Sequence, residues 1–598
     1  MSGERLAGGR THMCGSLRVS DAGGRVVLAG WVGRKRDHGG VVFVDLRDRE
    51  GAVQVVAHPH DAPDAHRVAS DAKSESVVRV TGTVRRRPEG NENPNVATGE
   101  VEVAAETIEL LSESDTPPFP VEDGVDGDEV LRLTYRYLDL RRPEMTEVFR
   151  LRHAVFGSIR RYFDERGFVD VETPMLTKST PEGARDFLVP SRLQQGRVYA
   201  LPQSPQQFKQ LLMVAGFDRY YQLVRCFRDE DLRADRHWEF TQLDMEMSFA
   251  TEEDVFEVLE GMFARLWKEM LDVEVPIPFP RLTFEEAMRR YGSDKPDLRY
   301  GMELVDLSEA FRGSGFRAFA NVVEGGGIVK GFAAPGAAGW PRKDLDDLVQ
   351  EARARGAAGL VWIAYHRSDV RSPVIAHLSP DELRAVAAAT QAGEGDLVLI
   401  VADKADRVNV ALDGLRRLMA ARLDLIPEGR WNFLWVTEFP MFDWSEDEGR
   451  WVATHHPFTS PVTDDIDPQT AKARAYDVVL NGYELGSGSI RIHRPELQSR
   501  VFDQLGISRE DAEEKFGHML RAFRYGVPPH GGFAFGLDRV VMLLAGRDNI
   551  RDVIAFPKTG SGIEPLTGAP SEPSSEQLRQ LAMRFAPESP KPGSDRSP

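Results

Sequence analysis

Cysteine is nearly absent from this sequence, with two residues, Cys14 and Cys226, in 598. That scarcity excludes a disulfide framework and any zinc site built mainly on thiolates, and it suits a reducing cytosol. No apolar run approaches the roughly 18 residues of a membrane span. The opening residues, MSGERLAGGRTHMCG, lack the apolar core of a secretory signal, so a cytoplasmic protein with no membrane contact is expected. An excess of positive charge is missing as well. Lys+Arg 75 against Asp+Glu 94 leaves a net charge of −19, which rules out a uniform basic coat for nucleic acid but allows a local basic patch. Hydrophobic residues make up 41% and charged residues 28%, an ordinary globular balance. At roughly 150 residues per domain the length suggests about four domains.

From Cys14 to Leu111 the pattern is short strands: Val26 to Val32, Val41 to Leu46, Ala52 to Val56, Val77 to Val84 and Glu100 to Ala104. Five strands in about 100 residues predict a small Greek-key barrel of the OB type. Residues 1–110 hold 15 Lys+Arg and 16 Asp+Glu, so this part is nearly neutral and the rest carries almost all the negative charge. Its cations cluster as Arg34-Lys35-Arg36 and Arg85-Arg86-Arg87. Such runs alone fit a solvated rim. With Phe43 as a stacking ring and Gln54 as a base-edge hydrogen bonder, they also fit a single-stranded nucleic-acid face.

A proline-rich linker, Thr116-Pro117-Pro118-Phe119-Pro120, follows. Val148, Leu151, Val155, Ile159 and Tyr162 recur at helical spacing and Gly167 ends that helix. Phe168 to Pro174 then alternates as a strand ending in proline. Residues from about 300 to 420 turn rich in Gly and Ala with alternating helix and strand, which predicts an inserted α/β domain. Strands resume at Trp431 to Val436. The end of the chain predicts one helix, Glu576 to Phe585, and a disordered Pro/Ser-rich tail.

Two stretches carry the chemistry. Arg225 to Asp244 reads as strand, charged turn and strand, with four arginines within 12 residues. A surface hairpin could solvate them, or they bind anions. Gly531 to Arg539 ends in Gly536-Leu537-Asp538-Arg539 and opens an apolar helix. Such a glycine turn can simply cap the helix, or it can let a ligand approach the backbone.

The prolined strand after a long helix, the Phe-Arg-x-Glu hairpin at Phe227 to Glu230 and the Gly-Leu-Asp-Arg helix start come in that order. They resemble the three motifs of class II aminoacyl-tRNA synthetases. Further strings resemble the bacterial-type aspartyl-tRNA synthetase family: Tyr135 to Pro143, Thr180 to Asp186, Gln203 to Gln206, His455 to Thr459 and Ala555 to Lys558. The resemblance covers about residues 13 to 570. It implies a multidomain α+β protein, with an N-terminal OB-fold barrel, a catalytic domain on an antiparallel sheet flanked by helices, and the inserted domain within it. The expected boundaries are a flexible 1–12, an anticodon-binding 13–112, a hinge 113–145, catalytic parts 146–299 and 425–570 around an insertion 300–424, and a tail 571–598.

The resemblance also implies two steps. Aspartate is activated by ATP to aspartyl-adenylate with release of pyrophosphate, and is then esterified to the 3′-terminal adenosine of tRNA. Positioning and electrostatics dominate such chemistry, and arginine suits it because its fork grips two oxygens and stays charged. By motif position Arg228 holds the α-phosphate and Arg539 the γ-phosphate. Asp229, Glu230, His237 and Phe240, with Gly536, Leu537 and Asp538, complete the ATP site. Asp477 and Glu484 carry Mg²⁺, a hard cation that bridges phosphates. Without the resemblance that pair would be a solvated edge between helix and strand. Lys209 and Arg491 match the binders of aspartate's side chain. Glu182, Gln206 and Asp244, with Arg228, handle its other end, and His455 sits on a loop closing over it. Two buried cations facing a neutral amide would reject asparagine.

On the tRNA side Arg36, Phe43, Gln54, Arg85 and Arg87 match the family's anticodon readers. The loops carry His38 and Gly90, where relatives restricted to aspartate tRNA tend to carry leucine and a larger polar residue. This departure implies a non-discriminating enzyme that charges tRNA(Asp) and tRNA(Asn), the latter product needing an amidotransferase. The strand ending at Pro174 lies in the family's dimer motif, so a homodimer is expected. A discriminating enzyme is the alternative. Asparaginyl and lysyl relatives fit less well because of the large insertion, the His-His-Pro-Phe-Thr loop and the Lys209/Arg491 pair. A catalytically dead paralogue would have lost one of Arg228, Arg539, Asp477 and Glu484, and all four are present.

Overall fold

Alternating valines in residues 25 to 112 put one face of each strand inside and one in water, the period of a half-buried strand. The structure is a computed structural model that describes residues 6–124, 127–180, 183–446 and 448–585. In it these strands, Arg25–His38, Val41–Asp48, Gly51–Ala57, Val77–Arg86 and Val101–Ser112, close into a barrel in the order first, second, third, fifth, fourth. Val26, Leu28, Val44, Leu46, Val53, Val55 and Val80 are among its buried core. The first and fifth strands run well beyond their apolar stretches, to His38 and Ser112. The extension of the first strand is exposed and leaves no hydrophobic alternation to read, while that of the fifth buries only Ala105 and Ile108, which are three residues apart and break the period of two. A helix, Pro63–Asp71, went unread because the face it buries is made of Ala65 and Ala69. The expected loose N-terminus lies partly outside the described residues, and Thr11 within it donates its N–H to the Val27 carbonyl at 2.9 Å.

The barrel belongs to a unit formed by residues up to Ala154 with Asp231–His237 and Val541–Gln577. In this unit the buried Glu75 takes both oxygens to Arg47, each at 2.8 Å, and accepts from Arg141 at 3.0 Å. Farther along, the fully buried Asp139 sits between Arg136 and Arg142. Arg136 donates to the carbonyls of Ile554 and Ala555, at 3.0 and 2.9 Å.

The second unit comprises Val155–Glu230, Trp238–Val540 and the chain from Leu578. Its main sheet has eight strands. The order is Arg281–Thr283, Phe433–Thr437, Ala475–Leu480, Tyr483–Ile490, His530–Gly536, Glu239–Ser248, Arg219–Phe227, Val169–Asp170. The six central strands are antiparallel, as expected, while both outermost pairs are parallel. The strand expected over Phe168 to Pro174 pairs only at Val169–Asp170. Helix Glu252–Leu271 lays Phe256, Phe263 and Trp267 against Phe433, Trp435 and Phe535, which makes one side of the sheet an aromatic core.

The insertion carries a five-stranded sheet in the order Val305–Asp306, Ile328–Ala334, Leu397–Asp403, Val361–Tyr365, Val370–Arg371. Helix and strand alternate along this part of the chain, and every pairing in its sheet is antiparallel. Helices Arg342–Ala354 and Ala405–Arg422 share one core with the sheet, and Arg317–Glu324 and Pro380–Thr390 another. The last helix is Ser575–Leu581, shorter than expected, and the tail from residue 586 lies outside the described residues. No helix among the described residues is long and apolar enough to cross a membrane.

Candidate active site

The strand Glu239–Ser248 alternates Gln242, Asp244 and Glu246 with Leu243, Met245 and Met247. Asp244 and Glu246 are fully buried. Lys209, on helix Gln206–Val214, places its Nζ 3.0 Å from Asp244 Oδ1 and 3.4 Å from Glu246 Oε2. Arg491, just past the strand Tyr483–Ile490, grips Glu246 with Nε at 2.9 Å and Nη2 at 3.2 Å. Its Nη1 reaches His456 Nε2 and Ser489 Oγ, both at 2.6 Å. Glu246 has room because residue 532, opposite it on the neighbouring strand, is glycine. A Cβ there would stand 1.9 Å from Glu246 Oε2. Burial works against ionised Glu246, but Arg491 and Lys209 outweigh it and hold the carboxyl below its ordinary range. Burial wins at Asp244, whose carboxyl is pushed up despite Lys209. Asp244 Oδ2 has no hydrogen-bond partner among the described residues.

This arrangement corrects one expectation. Lys209 and Arg491 are not two bare cations awaiting a substrate. Each is already paired, and with Asp244 and Glu246 they form a cluster of zero formal charge. Buried charges at this depth require partners. Glu246 went unnoticed, although two acids alternating with Leu243, Met245 and Met247 are a readable signal. His456, inside the quoted His-His-Pro-Phe-Thr string, also went unassigned. Burial and then Arg491 depress its pKa well below the usual imidazole value. Gln206 hydrogen-bonds Gln210 at 3.1 Å, and Gln210 meets the buried His530 at 3.0 Å. Glu182 lies outside the described residues.

Antiparallel pairing brings the two motif arginines to one end of the sheet. Glu239 pairs with Phe227 and Gln242 with Gly536, so Arg228 and Arg539 both follow strands that leave past the start of the strand between them. Arg228 stacks its guanidinium over Phe240, 5.1 Å from the ring centroid, and its Nε donates to the Gln203 carbonyl at 3.4 Å. Gln203 in turn ties down the loop before it through Ala184 and Asp186. Arg185 in that loop faces Asp229 at 3.6 Å. The Glu230 carbonyl accepts from the Trp238 indole at 2.6 Å. Gly536 is the last residue of its strand. Leu537 starts helix Leu537–Leu544, so the helix begins two residues before Arg539. Asp538 accepts the Thr241 N–H at 2.7 Å and locks that helix start to the neighbouring strand. Arg539 donates to the Glu484 carbonyl. His237 is buried in the first unit, where its Nε2 accepts the Lys558 N–H at 2.9 Å.

Asp477 and Glu484 stand on adjacent strands of one hairpin, Ala475–Leu480 and Tyr483–Ile490, not at a helix edge. Asn481 at φ 51° and Gly482 at φ 88° form its two-residue turn, the left-handed pair that Asn-Gly favours. Asp477 is buried and its Oδ1 has no hydrogen-bond partner among the described residues. Burial, then the Glu484 charge, pushes its pKa well up. His455 Nε2 lies 3.9 Å from Asp477 Oδ1 and its ring packs 4.9 Å from Phe439. Burial and then Arg491 lower its pKa to about 4.

On the barrel, four of the five anticodon candidates stand on one band running across the strands. Arg36 pairs in register with Phe43 and reaches Asp45 at 3.2 Å and Gln54 at 3.3 Å. Gln54 donates to Glu102 at 2.7 Å, and Arg85 donates to the same carboxylate at 2.8 Å. Glu102, 3% exposed, was missed by sequence reading and is the centre of this band. Arg87 bonds the Val101 carbonyl at 3.1 Å. His38 ends the first strand, exposed, and Gly90 sits in its loop at φ 86°.

A mostly antiparallel sheet with an arginine hairpin, an arginine at the head of the helix that follows strand His530–Gly536 and a hairpin of two carboxylates is the catalytic frame of a class II aminoacyl-tRNA synthetase. Residues 128–560 match the family model for class II tRNA synthetases (D, K and N), and residues 26–111 match the OB-fold nucleic acid binding domain. A protein of Moorella thermoacetica named aspartate–tRNA(Asp/Asn) ligase is 55% identical over 587 residues, 97% of this chain and 98% of its own. One of the same name from Caldanaerobacter subterraneus is 52% identical, over 98% and 100%. Among solved structures, asparaginyl-tRNA synthetase from Pyrococcus horikoshii with asparaginyl-adenylate has a TM-score of 0.58 at 19% identity, over 93% of this chain and 99% of that one. Aspartyl-tRNA synthetase from Entamoeba histolytica has a TM-score of 0.56 at 20%, over 90% and 89%. The chain belongs to the class II tRNA synthetase family of the D, K and N group.

Proposed function

We propose that this chain is an aspartate–tRNA ligase that charges both tRNA(Asp) and tRNA(Asn). The observation that carries the amino-acid assignment is the buried cluster of Lys209, Asp244, Glu246 and Arg491. Aspartate's side-chain carboxylate brings acceptors on both oxygens to donors of Lys209 and Arg491. Asparagine would turn an amide donor toward them, and unpaired buried donors are rejected strongly. The open Asp244 Oδ2 is the natural partner for the ammonium, with Gln206 and Glu182 assigned to the same end.

In the first step the α-carboxylate of aspartate attacks the α-phosphorus of ATP, and the bond to the bridging oxygen breaks as pyrophosphate leaves. Arg228, braced by Phe240 and Gln203, neutralises charge building on the α-phosphate, while Phe240 lies beneath the base. Arg539 binds the terminal phosphate. Glu230 and His237 are assigned to the adenine side. A buried oxygen on Asp477 with no hydrogen-bond partner among the described residues, beside a second carboxylate, fits a divalent cation. Asp477 and Glu484 would hold Mg²⁺, which offsets phosphate charge. In the second step the ribose hydroxyl of the terminal adenosine attacks the aspartyl carbonyl and AMP leaves.

The barrel band of Arg36, Phe43, Gln54 and Arg85, with Arg87, reads the anticodon. His38 and Gly90 leave the contact to its last base loose enough for both tRNAs, in line with the names of the relatives. Asp-tRNA(Asn) then requires an amidotransferase. The enzyme works in the cytoplasm as a homodimer. The test is aminoacylation of purified tRNA(Asp) and tRNA(Asn) with labelled aspartate, side by side. Charging of both supports dual specificity, and background charging of tRNA(Asn) refutes it.

A further inference from the structure

The root of the inserted domain runs against the hairpin of the two carboxylates. Segment 293–301 leads from the catalytic sheet into the insertion, and its middle packs on the Asn481-Gly482 turn. A Cβ built on Gly482 would stand 3.4 Å from Asp297 Cβ and 4.0 Å from the Lys295 carbonyl. The other side of the segment is gripped by the inserted helix Ala405–Arg422. Arg416, 0% exposed, donates to the carbonyls of Asp297 at 2.7 Å, Tyr300 at 3.1 Å and Gly301 at 3.2 Å. Its guanidinium is flanked by the Tyr300 and Tyr291 rings, 4.4 and 4.9 Å from their centroids. A fully buried arginine spent on three backbone carbonyls fixes the path of the main chain.

That path presents one unused cation. Lys295 is half-buried, and among the described residues its ammonium has no hydrogen-bond or ion-pair partner. Its charge acts on Asp477, in the sense opposite to that of its neighbour Asp294. Glu484, on the same hairpin, has its carbonyl bound by Arg539.

We propose that Lys295 binds the pyrophosphate end of ATP, and that Arg416 is a positioning residue through which the inserted domain holds Lys295 there. The inference rests on the reading of Asp477 and Glu484 as the phosphate and metal end of the site. A triphosphate brings several negative charges to a place that already holds two carboxylates, so a further ammonium is what electroneutrality asks for. A point-charge donor on a flexible stem also suits a leaving group that must depart. The insertion thereby acquires a catalytic duty.

The experiment uses the full chain as wild type, Lys295→Met, Lys295→Arg, Arg416→Met and the exposed control Lys343→Met. Pyrophosphate binding with Mg²⁺ is measured by calorimetry, and aspartate-dependent ATP–pyrophosphate exchange in parallel. Lys295→Met is expected to weaken pyrophosphate binding and raise the KM for pyrophosphate by about tenfold or more, as loss of a charged hydrogen bond does. The KM for aspartate stays unchanged, Lys295→Arg stays within threefold of wild type, and Arg416→Met shifts the same pyrophosphate parameters. Pyrophosphate binding by Lys295→Met within twofold of wild type overturns the proposal. So does an equal loss in Lys295→Arg and Lys295→Met, which would mean packing and not charge. Wild type without exchange activity would refute the proposed function, while the calorimetric comparison would still decide Lys295.

Discussion

Replacing Glu246 with glutamine keeps the shape of the residue and removes its charge. Its carboxylate is 2.9 and 3.2 Å from Arg491 and 3.4 Å from Lys209. At an effective dielectric of about 20, unit charges at such distances attract by roughly 5 kcal/mol each, offset by the desolvation of both groups. Removing one partner from a buried pair costs about 3–5 kcal/mol. Glutamine keeps one acceptor but turns an amide donor toward one of the two cations. The net loss is therefore put at about 2–3 kcal/mol, or roughly 30- to 150-fold in kcat/KM for aspartate. ATP–pyrophosphate exchange reads this without tRNA. Because Glu246 sits below the usual carboxylate range, it is ionised throughout neutral pH and the defect should be equal at pH 6 and pH 8. A kcat/KM within threefold of wild type would refute the view that Glu246 orients Lys209 and Arg491. Recovery of the variant's activity at pH 8 would do the same.

Three further outcomes are expected. Glu102→Ala releases Gln54 and Arg85 on the barrel; the KM for tRNA in aminoacylation should rise about tenfold while tRNA-free exchange stays unchanged. Asp477→Asn removes a carboxyl whose ionised form is disfavoured by burial and by Glu484. Exchange should fall by about 100-fold or more while the thermal midpoint of the ligand-free chain rises, and a fall in that midpoint would contradict the assignment. His455 stays neutral down to about pH 4 in the folded chain, through burial and then Arg491. The unfolded imidazole binds its proton near pH 6.5, so the unfolded state holds more protons between the two values. Stability is lost as pH falls through that window, by up to about 3 kcal/mol. In His455→Gln the stability measured by urea unfolding at pH 6.5 and 4.5 should lose that share of its pH slope.

Much of this protein was readable along the chain. The alternating valines of the barrel, the Arg225 to Asp244 hairpin and the glycine turn before Arg539 are local patterns, because strand period and turn chemistry depend on near neighbours in sequence. Class and motif order followed from them. What tertiary structure alone decided is who neutralises whom. Lys209, Glu246 and Arg491 are separated by up to 282 positions in numbering, yet they share one buried cluster because the sheet lays the strands ending at 490, starting at 239 and ending at 536 side by side, with Gly532 leaving the gap. Glu102 on the barrel and Arg416 beneath the insertion's root were silent for the same reason. A charge in a sequence looks solvated until folding removes the water, and only then does the identity of its partner set its energy.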